Sequence, residues 1–178
     1  MPLTISELNR LPYGFVDFSA LREINSIYVD KTKLIYELAA QYAPIFLARP
    51  RRFGKSLLVN TLHSLFAKGL EDFHGLAIEN IWKDKTYKVV HLDFSSRAHK
   101  NHQDLKQDLG KTIIQKFCVQ SEVAQFNALG WLRDPDQILD EIAKNLGNFS
   151  TVLLIDEYDA PIVQHIKEPE ELESILAI

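Results

Sequence analysis

Arg49-Pro50-Arg51-Arg52-Phe53-Gly54-Lys55-Ser56 decides the fold of this 178-residue chain. Its last three residues complete the pattern G-x-x-x-x-G-K-[ST]. In that pattern a loop between strand and helix aims backbone N–H groups at phosphate oxygens, the lysine reaches the same oxygens, and the hydroxyl binds Mg²⁺. Arg49 stands where the pattern has its first glycine, a position whose backbone angles arginine resists, and Pro50 removes one N–H donor. In exchange the stretch gathers Arg49, Arg51, Arg52 and Lys55. Cations so close together repel one another unless an anion lies among them. A solvated basic turn ahead of a helix is the plainer alternative.

The flanks favour the anion site. Ile45-Phe-Leu-Ala48 reads as a short buried strand entering the loop. Leu58, Leu62, Leu65 and Phe66 recur at helical spacing from the loop to Gly69, so a helix starts near Lys55. Far downstream, Thr151-Val-Leu-Leu-Ile155 reads as a strand apolar enough to be covered on both faces, and it ends in Asp156-Glu157. Open α/β sheets place ligands at such carboxyl ends. Side chains alternate along an extended chain, so one carboxylate can serve the metal while the other orients and deprotonates a water. Asp156 is assigned to the metal and Glu157 to the water. The expected ligands are ATP and Mg²⁺; an ATPase that keeps its own base is favoured over a GTPase, and no Asn-Lys-x-Asp guanine-reading motif occurs.

Between these points the chain alternates helix and strand. Thr4 to Glu7 fits a capping box for a short helix, and an irregular arm runs on to about Ser19. Ser26 to Val29 reads as extended, and Asp30 then caps a helix carrying Leu34, Ile35, Leu38 and Tyr42. A strand is expected over Lys88 to Phe94, followed by a polar loop and a helix bearing Leu105, Leu109, Ile113 and Phe117. Asp134-Pro-Asp-Gln137 opens another helix, with Ile138, Leu139, Ile142 and Leu146 on its apolar face. This order implies an α/β fold with a mainly parallel sheet. The division expected is 1–44, an arm and helix flanking the nucleotide site, and 45–178, the start of a nucleotide-binding core.

Composition is that of an ordinary globular chain, 46% hydrophobic and 25% charged, with a formal net charge of -4. Such a balance exerts no general pull toward nucleic acid. The single Cys118 forms no disulfide within the chain, and neither a signal peptide nor a bilayer-length apolar run occurs, so a cytoplasmic location and no membrane association are expected. The Asn148-Phe-Ser150 sequon matters only in secreted chains.

Pro12-Tyr-Gly14, Asp17-Phe18, Tyr28-Val-Asp-Lys-Thr32, Arg49 to Ser56, Leu92-Asp-Phe-Ser95 and Leu154-Ile-Asp-Glu-Tyr-Asp159 together resemble the prokaryotic AAA-ATPase-like family. That family writes its P-loop as RPRRFGKS, so Arg49 is one of its features. The resemblance implies a three-layer P-loop NTPase fold of the AAA/ASCE type, with Asp156 and Glu157 ending the Walker B strand. It implies nucleotide contacts from Arg49, Arg51, Arg52, Phe53, Gly54, Lys55, Ser56 and Leu57, metal binding by Ser56 and Asp156, and catalysis by Glu157 with Lys55. The Tyr28 to Thr32 segment would flank the nucleotide, although Asp30 is equally explained as a helix cap. In ATPases of this class a further strand, a polar sensor and an arginine finger follow the acidic motif. The chain therefore reads as truncated after the Walker B strand, binding nucleotide without turning it over alone. Family members often add a PD-(D/E)XK nuclease-like domain. Nucleic acid is otherwise not indicated, and an oligomer is left open. The alternative function is a nucleotide-dependent interaction or regulatory module that does not hydrolyse.

Smaller features have plainer readings. His99 and His102 suggest a metal pair, but no third ligand follows at sensible spacing, and a solvated loop is expected there, with Arg97 and Lys100 as a small cationic patch. Asp93 and Asp159 read as either acidic-edge groups or turn caps. The Glu168 to Glu173 run reads as a solvated helix start.

Overall fold

The computed structural model describes residues 17–117 and 151–177, apart from 42, 51 and 97, together with 11, 14 and 137. They belong to two compact units, Met1–Val89 and Val90–Ile178. The helix expected at Thr4 to Glu7 lies outside the described residues, as do Tyr42, Cys118, the sequon and, save Gln137, the helix expected after Asp134.

The first unit holds α1 (Phe18–Glu23), α2 (Thr32–Ala39), α3 (Lys55–Lys68) and a 3₁₀ turn (Ala77–Asn80). The sequence reading placed no helix at α1, yet its signal is present. Asp17 is the N-cap, its Oδ1 accepting from the Ala20 amide at 2.9 Å, and Phe18 and Leu21, three apart, are both buried. Phe18 meets Tyr28 and Phe73 with ring centroids 5.2 and 4.8 Å apart, and Phe66 of α3 meets Trp82 and Tyr87 at 5.8 and 5.7 Å. These rings, with Leu65, Ile35 and Ile78, make the core. It grips the C-terminal half of α3 and so fixes where the helix's first turn points.

Ile45 to Ala48 departs from expectation. The stretch has no strand pairing, and Ile45 and Phe46 are 48% and 68% exposed. A strand exists through its ladder partner, and the two strands among the described residues pair with each other. Asp30 is also one residue off its expected place, because the N-cap of α2 is Lys31. Asp30 instead folds an Asx turn: Oδ1 accepts from the Thr32 amide and hydroxyl at 2.9 and 2.7 Å, while Oδ2 accepts from the Ala77 amide at 2.7 Å. Thr32 Oγ1 then accepts from the buried Ile78 amide at 3.1 Å. The Tyr28 to Thr32 stretch is thus a brace joining α2 to the 3₁₀ turn.

A second brace centres on Asp72, which the sequence reading did not single out. Its Oδ2 accepts from Ser19 Oγ at 2.5 Å, Ser64 Oγ at 2.6 Å and Lys68 Nζ at 3.2 Å, linking α1 to the far end of α3. Arg22 closes the same link by donating to the Asp72 and His74 carbonyls at 3.0 and 2.5 Å. Partial burial works to raise the Asp72 pKa, but the Ser19, Ser64 and Lys68 donors outweigh it and hold the carboxyl below its ordinary 3.8. A depressed folded pKa contributes stability above the ordinary value and loses it as pH falls through the folded one. Asp72→Asn is therefore expected to destabilise the first unit by about 1.5–3 kcal/mol near neutrality. Urea midpoints should show that penalty shrinking below pH 3.8.

β1 (Lys88–Asp93), which enters the second unit at Val90, and β2 (Thr151–Asp156) pair in parallel, with α4 (His102–Phe117) in the crossover and α5 (Ala160–Gln164) and α6 (Pro169–Leu176) after β2. Parallel neighbours require such a crossover, and its helix is what an α/β fold supplies. Val90 and Leu92 of β1 pack in one core with Leu105, Ile113 and Ile114 of α4. β2 is not covered on both faces within this unit, since Leu153 and Ile155, on one side by alternation, are 42% and 45% exposed. Among the described residues no helix is long and apolar enough to cross a membrane.

Candidate functional site

The expected phosphate loop lies in the first unit. Gly54 is the N-cap of α3 with φ +75° and ψ +23°, and it has no side chain with which to cap the amides that follow. Leu58 N–H already donates to the Gly54 carbonyl at 3.0 Å, so the helix begins cleanly there. No side-chain cap serves the first turn of α3, which consists of Lys55, Ser56 and Leu57. Amides so placed, at the positive end of the helix dipole, form an anion-binding end. A Cβ on Gly54 would meet nothing within 4 Å, so glycine is needed for its backbone angle and not for room. Gly54→Ala is accordingly expected to lower the stability of the first unit by about 1–2 kcal/mol, all of it backbone strain, which a thermal or urea midpoint would read.

Arg52 also lies in the left-handed region, with φ +66°. Arg52 and Gly54, both left-handed, flank Phe53, and changes of backbone hand within a turn are a feature of the concave backbone nests that hold anions. Of the three non-glycine residues described with positive φ, Asn25 is of a type that tolerates it, and the other two are Arg52 and Glu157. Both belong to the expected nucleotide set, and strain of this kind concentrates at ligand sites. Lys55 Nζ donates back to the Arg49 carbonyl at 3.1 Å, which closes the loop on itself from one end to the other. Asn60 Nδ2 donates to the Ser56 carbonyl at 3.0 Å and steadies the first turn. Phe53 is 65% exposed, and Arg51 lies outside the described residues.

The acidic pair lies in the second unit, at the end of β2. Asp156 is buried, 8% exposed, and its Oδ1 accepts from the Glu157 amide at 3.0 Å. Glu157, with φ +50°, leaves the strand at a sharp turn and its carbonyl accepts from the Ala160 amide at 2.9 Å, starting α5. Glu157 is thus a left-handed turn residue just beyond the end of β2, where the sequence reading relied on strand alternation. The structure thus gathers Arg49, Arg52, Phe53, Gly54, Lys55, Ser56 and Leu57 in one loop and helix start of the first unit, and Asp156 with Glu157 in one turn of the second. Asp159 is the N-cap of α5 by its backbone, without a side-chain cap, and Asp93 Oδ1 accepts from the Ser95 amide and hydroxyl at 2.8 and 2.7 Å. Both are turn formers.

Among the described residues no group of three or more His, Cys, Asp or Glu is gathered to hold a metal. Mg²⁺ does not need one, since it is commonly bound by one or two protein oxygens, waters and substrate phosphates. A hydroxyl and a carboxylate of the Ser56 and Asp156 kind fit that donor set. A cavity of about 290 Å³ lies in the second unit between the end of β1 and α4, lined by Asp93, His99, Asp108 and Thr112 among others, and none of the expected nucleotide residues lines it. The candidates of the first unit instead lie on a largely exposed loop and helix start, which suits phosphate recognition by amides.

Two residues expected in a solvated loop are engaged. His99 is 8% exposed with Nε2 3.3 Å from Asp108, and His102 Nδ1 lies 2.7 Å from Glu171 Oε1. The acidic start of α6 is therefore not wholly solvated, because Glu171 is spent on α4.

Comparison with known proteins gives the family. Residues 12–178 match the family described as Predicted AAA-ATPase. The chain is 35% identical over 170 residues to an uncharacterized protein in the vnfD 5′ region of Azotobacter chroococcum mcd 1. The alignment covers 90% of this chain and 31% of that relative, so the chain spans about a third of the relative's length. No solved structure matches. With a match over nearly its whole length, and a glycine-started helix at the loop that carries the resemblance, the chain belongs to the predicted AAA-ATPase family.

Proposed function

We propose that this chain is the Mg²⁺-dependent ATP-binding part of an ATPase. The observation that carries the reading is the start of α3: left-handed Arg52 and Gly54 lead into a 14-residue helix whose first turn has no side-chain cap. In this reading the amides of Gly54 to Leu57 cradle the phosphates, with Arg49, Arg51 and Arg52 as surrounding cations and Phe53 at the rim. Lys55 leaves the Arg49 carbonyl for a phosphate oxygen, exchanging a neutral acceptor for a charged one. Ser56 of the first unit and Asp156 of the second are each candidate metal ligands, and the metal when bound would neutralise charge building on the phosphates. Glu157 orients and deprotonates the attacking water.

Hydrolysis is proposed for the whole protein, since the relative it matches is about three times as long as the matched stretch. The family implies ATP binding; the metal, the hydrolysis and a cytoplasmic setting are inferences from the site chemistry and the sequence. Titrating the chain with ATP, by calorimetry or with a fluorescent analogue, tests the core of the proposal. Saturable binding that weakens when Mg²⁺ is chelated and is competed by ATP is the expected result. Indifference to both nucleotide and metal would remove the reading.

A further inference from the structure

The cavity between the end of β1 and α4 takes no part in the nucleotide reading, and its wall is chemically uneven. Asp108, Thr112 and Lys116 follow one another at four-residue spacing, so all three share one face of α4. Asp108 and Lys116 stand about 12 Å apart along the helix axis. Leu105 and Leu109 of the same helix add apolar surface. Asp93, at the end of β1, brings the charged lining to two carboxylates against one ammonium.

His99 marks the acidic end. Its side chain is 5% exposed, and its Nε2 lies 3.3 Å from Asp108 Oδ2. A carboxylate ion only accepts, so Nε2 carries the proton and Nδ1 of the neutral ring is a bare acceptor. That Nδ1 is buried and has no hydrogen-bond partner among the described residues. Buried polar atoms are satisfied by protein, water or ligand in the great majority of cases. The His99 ring, in the wall of a cavity, therefore calls for a hydrogen-bond donor from within it.

We propose that this cavity binds a small zwitterion whose ammonium and carboxylate are separated by several methylene groups. The ammonium, with three donors and no acceptor, meets His99 Nδ1 and the Asp108 carboxylate. The methylenes lie against Leu105 and Leu109, and the carboxylate reaches Lys116, with the Thr112 hydroxyl as a second donor. Water would satisfy Nδ1 but would not answer the excess of negative charge. The adjacent groups of an α-amino acid are too close together to engage both ends, even though the Lys116 stem leans back toward the start of α4. At about 290 Å³ the cavity is at the small end of ligand sites, as such a molecule requires. None of the expected nucleotide residues lines it, so this site stands or falls apart from the phosphate loop.

Nitrogen-15 NMR of the histidine rings in the whole chain tests the proposal near neutral pH. The probes are γ-aminobutyrate, δ-aminovalerate and ε-aminocaproate, with butylamine and butyrate as single-ended controls, each taken to about 10 mM. The His99 Nδ1 resonance should move saturably with at least one of the zwitterions. Butylamine and butyrate should each bind at least about tenfold more weakly, since each forgoes one charge-assisted contact. Lys116→Met should remove the advantage of the zwitterion over butylamine without disturbing the fold, because Lys116 is exposed. His99→Gln should weaken the zwitterion by a similar factor; if that variant does not fold, Lys116→Met decides alone. A His99 ring that no zwitterion moves, butylamine bound as tightly as the zwitterions, or a preference that survives Lys116→Met would each overturn the proposal.

Discussion

Replacing Lys55 with alanine is expected to lower the affinity for ATP with Mg²⁺ by about 10- to 100-fold while leaving the first unit folded. A hydrogen bond to a charged group contributes about 1.5–3 kcal/mol, and 1.4 kcal/mol is a factor of ten. The range follows from losing that one contact. The fold should survive because Lys55 is held only to the Arg49 carbonyl in an exposed setting, far along α3 from Leu65 and Phe66, which lock the helix into the core. Binding by equilibrium titration and stability by urea midpoint, measured on the same preparation, separate the two effects. An affinity loss with an unmoved midpoint is the expected pattern. Unchanged affinity would mean that the amides and arginines bind the phosphates without the lysine, and Lys55 would then drop out of the site.

The limits of the sequence reading were set by where the information resides. The start of α3 was legible because the glycine before Lys55, the lysine and the apolar spacing of Leu58 to Phe66 are local signals, and β1, β2 and α4 were legible for the same reason. Ile45 to Ala48 was not, because an apolar run states that a segment wants burial but not which strand will pair with it. Asp72 was invisible for a related cause: its three side-chain donors include Ser19, 53 residues away, and no local pattern announces such a meeting. His102 and Glu171, 69 residues apart, were each read alone as solvated. Asp30 was read as a cap when it is an Asx turn one residue early, since both uses place the same carboxylate beside nearby amides. Strain at Arg52 and Glu157 could not be read at all, because neither residue type asks for a left-handed backbone.

Glu157→Gln should divide binding from chemistry. In the longest form of the protein that turns over ATP, the substitution is expected to reduce turnover by about 10²- to 10⁴-fold, the usual contribution of a positioned general base, while leaving ATP affinity within a few fold. The amide keeps the shape of the side chain and can still contact a water, but it cannot take the water's proton. The turn should survive the change, because Asp156 Oδ1 and the Ala160 amide engage the Glu157 backbone and not its carboxylate. Single-turnover rates and equilibrium binding distinguish three outcomes. Lost turnover with binding kept assigns Glu157 to the chemical step. Loss of both would make the carboxylate part of the binding site, with the metal held differently from the Ser56 and Asp156 arrangement. If neither the unsubstituted protein nor the variant hydrolyses ATP yet both bind it, the chain uses nucleotide to set its shape, and the strained turn at Glu157 must be explained by the α5 segment that it launches.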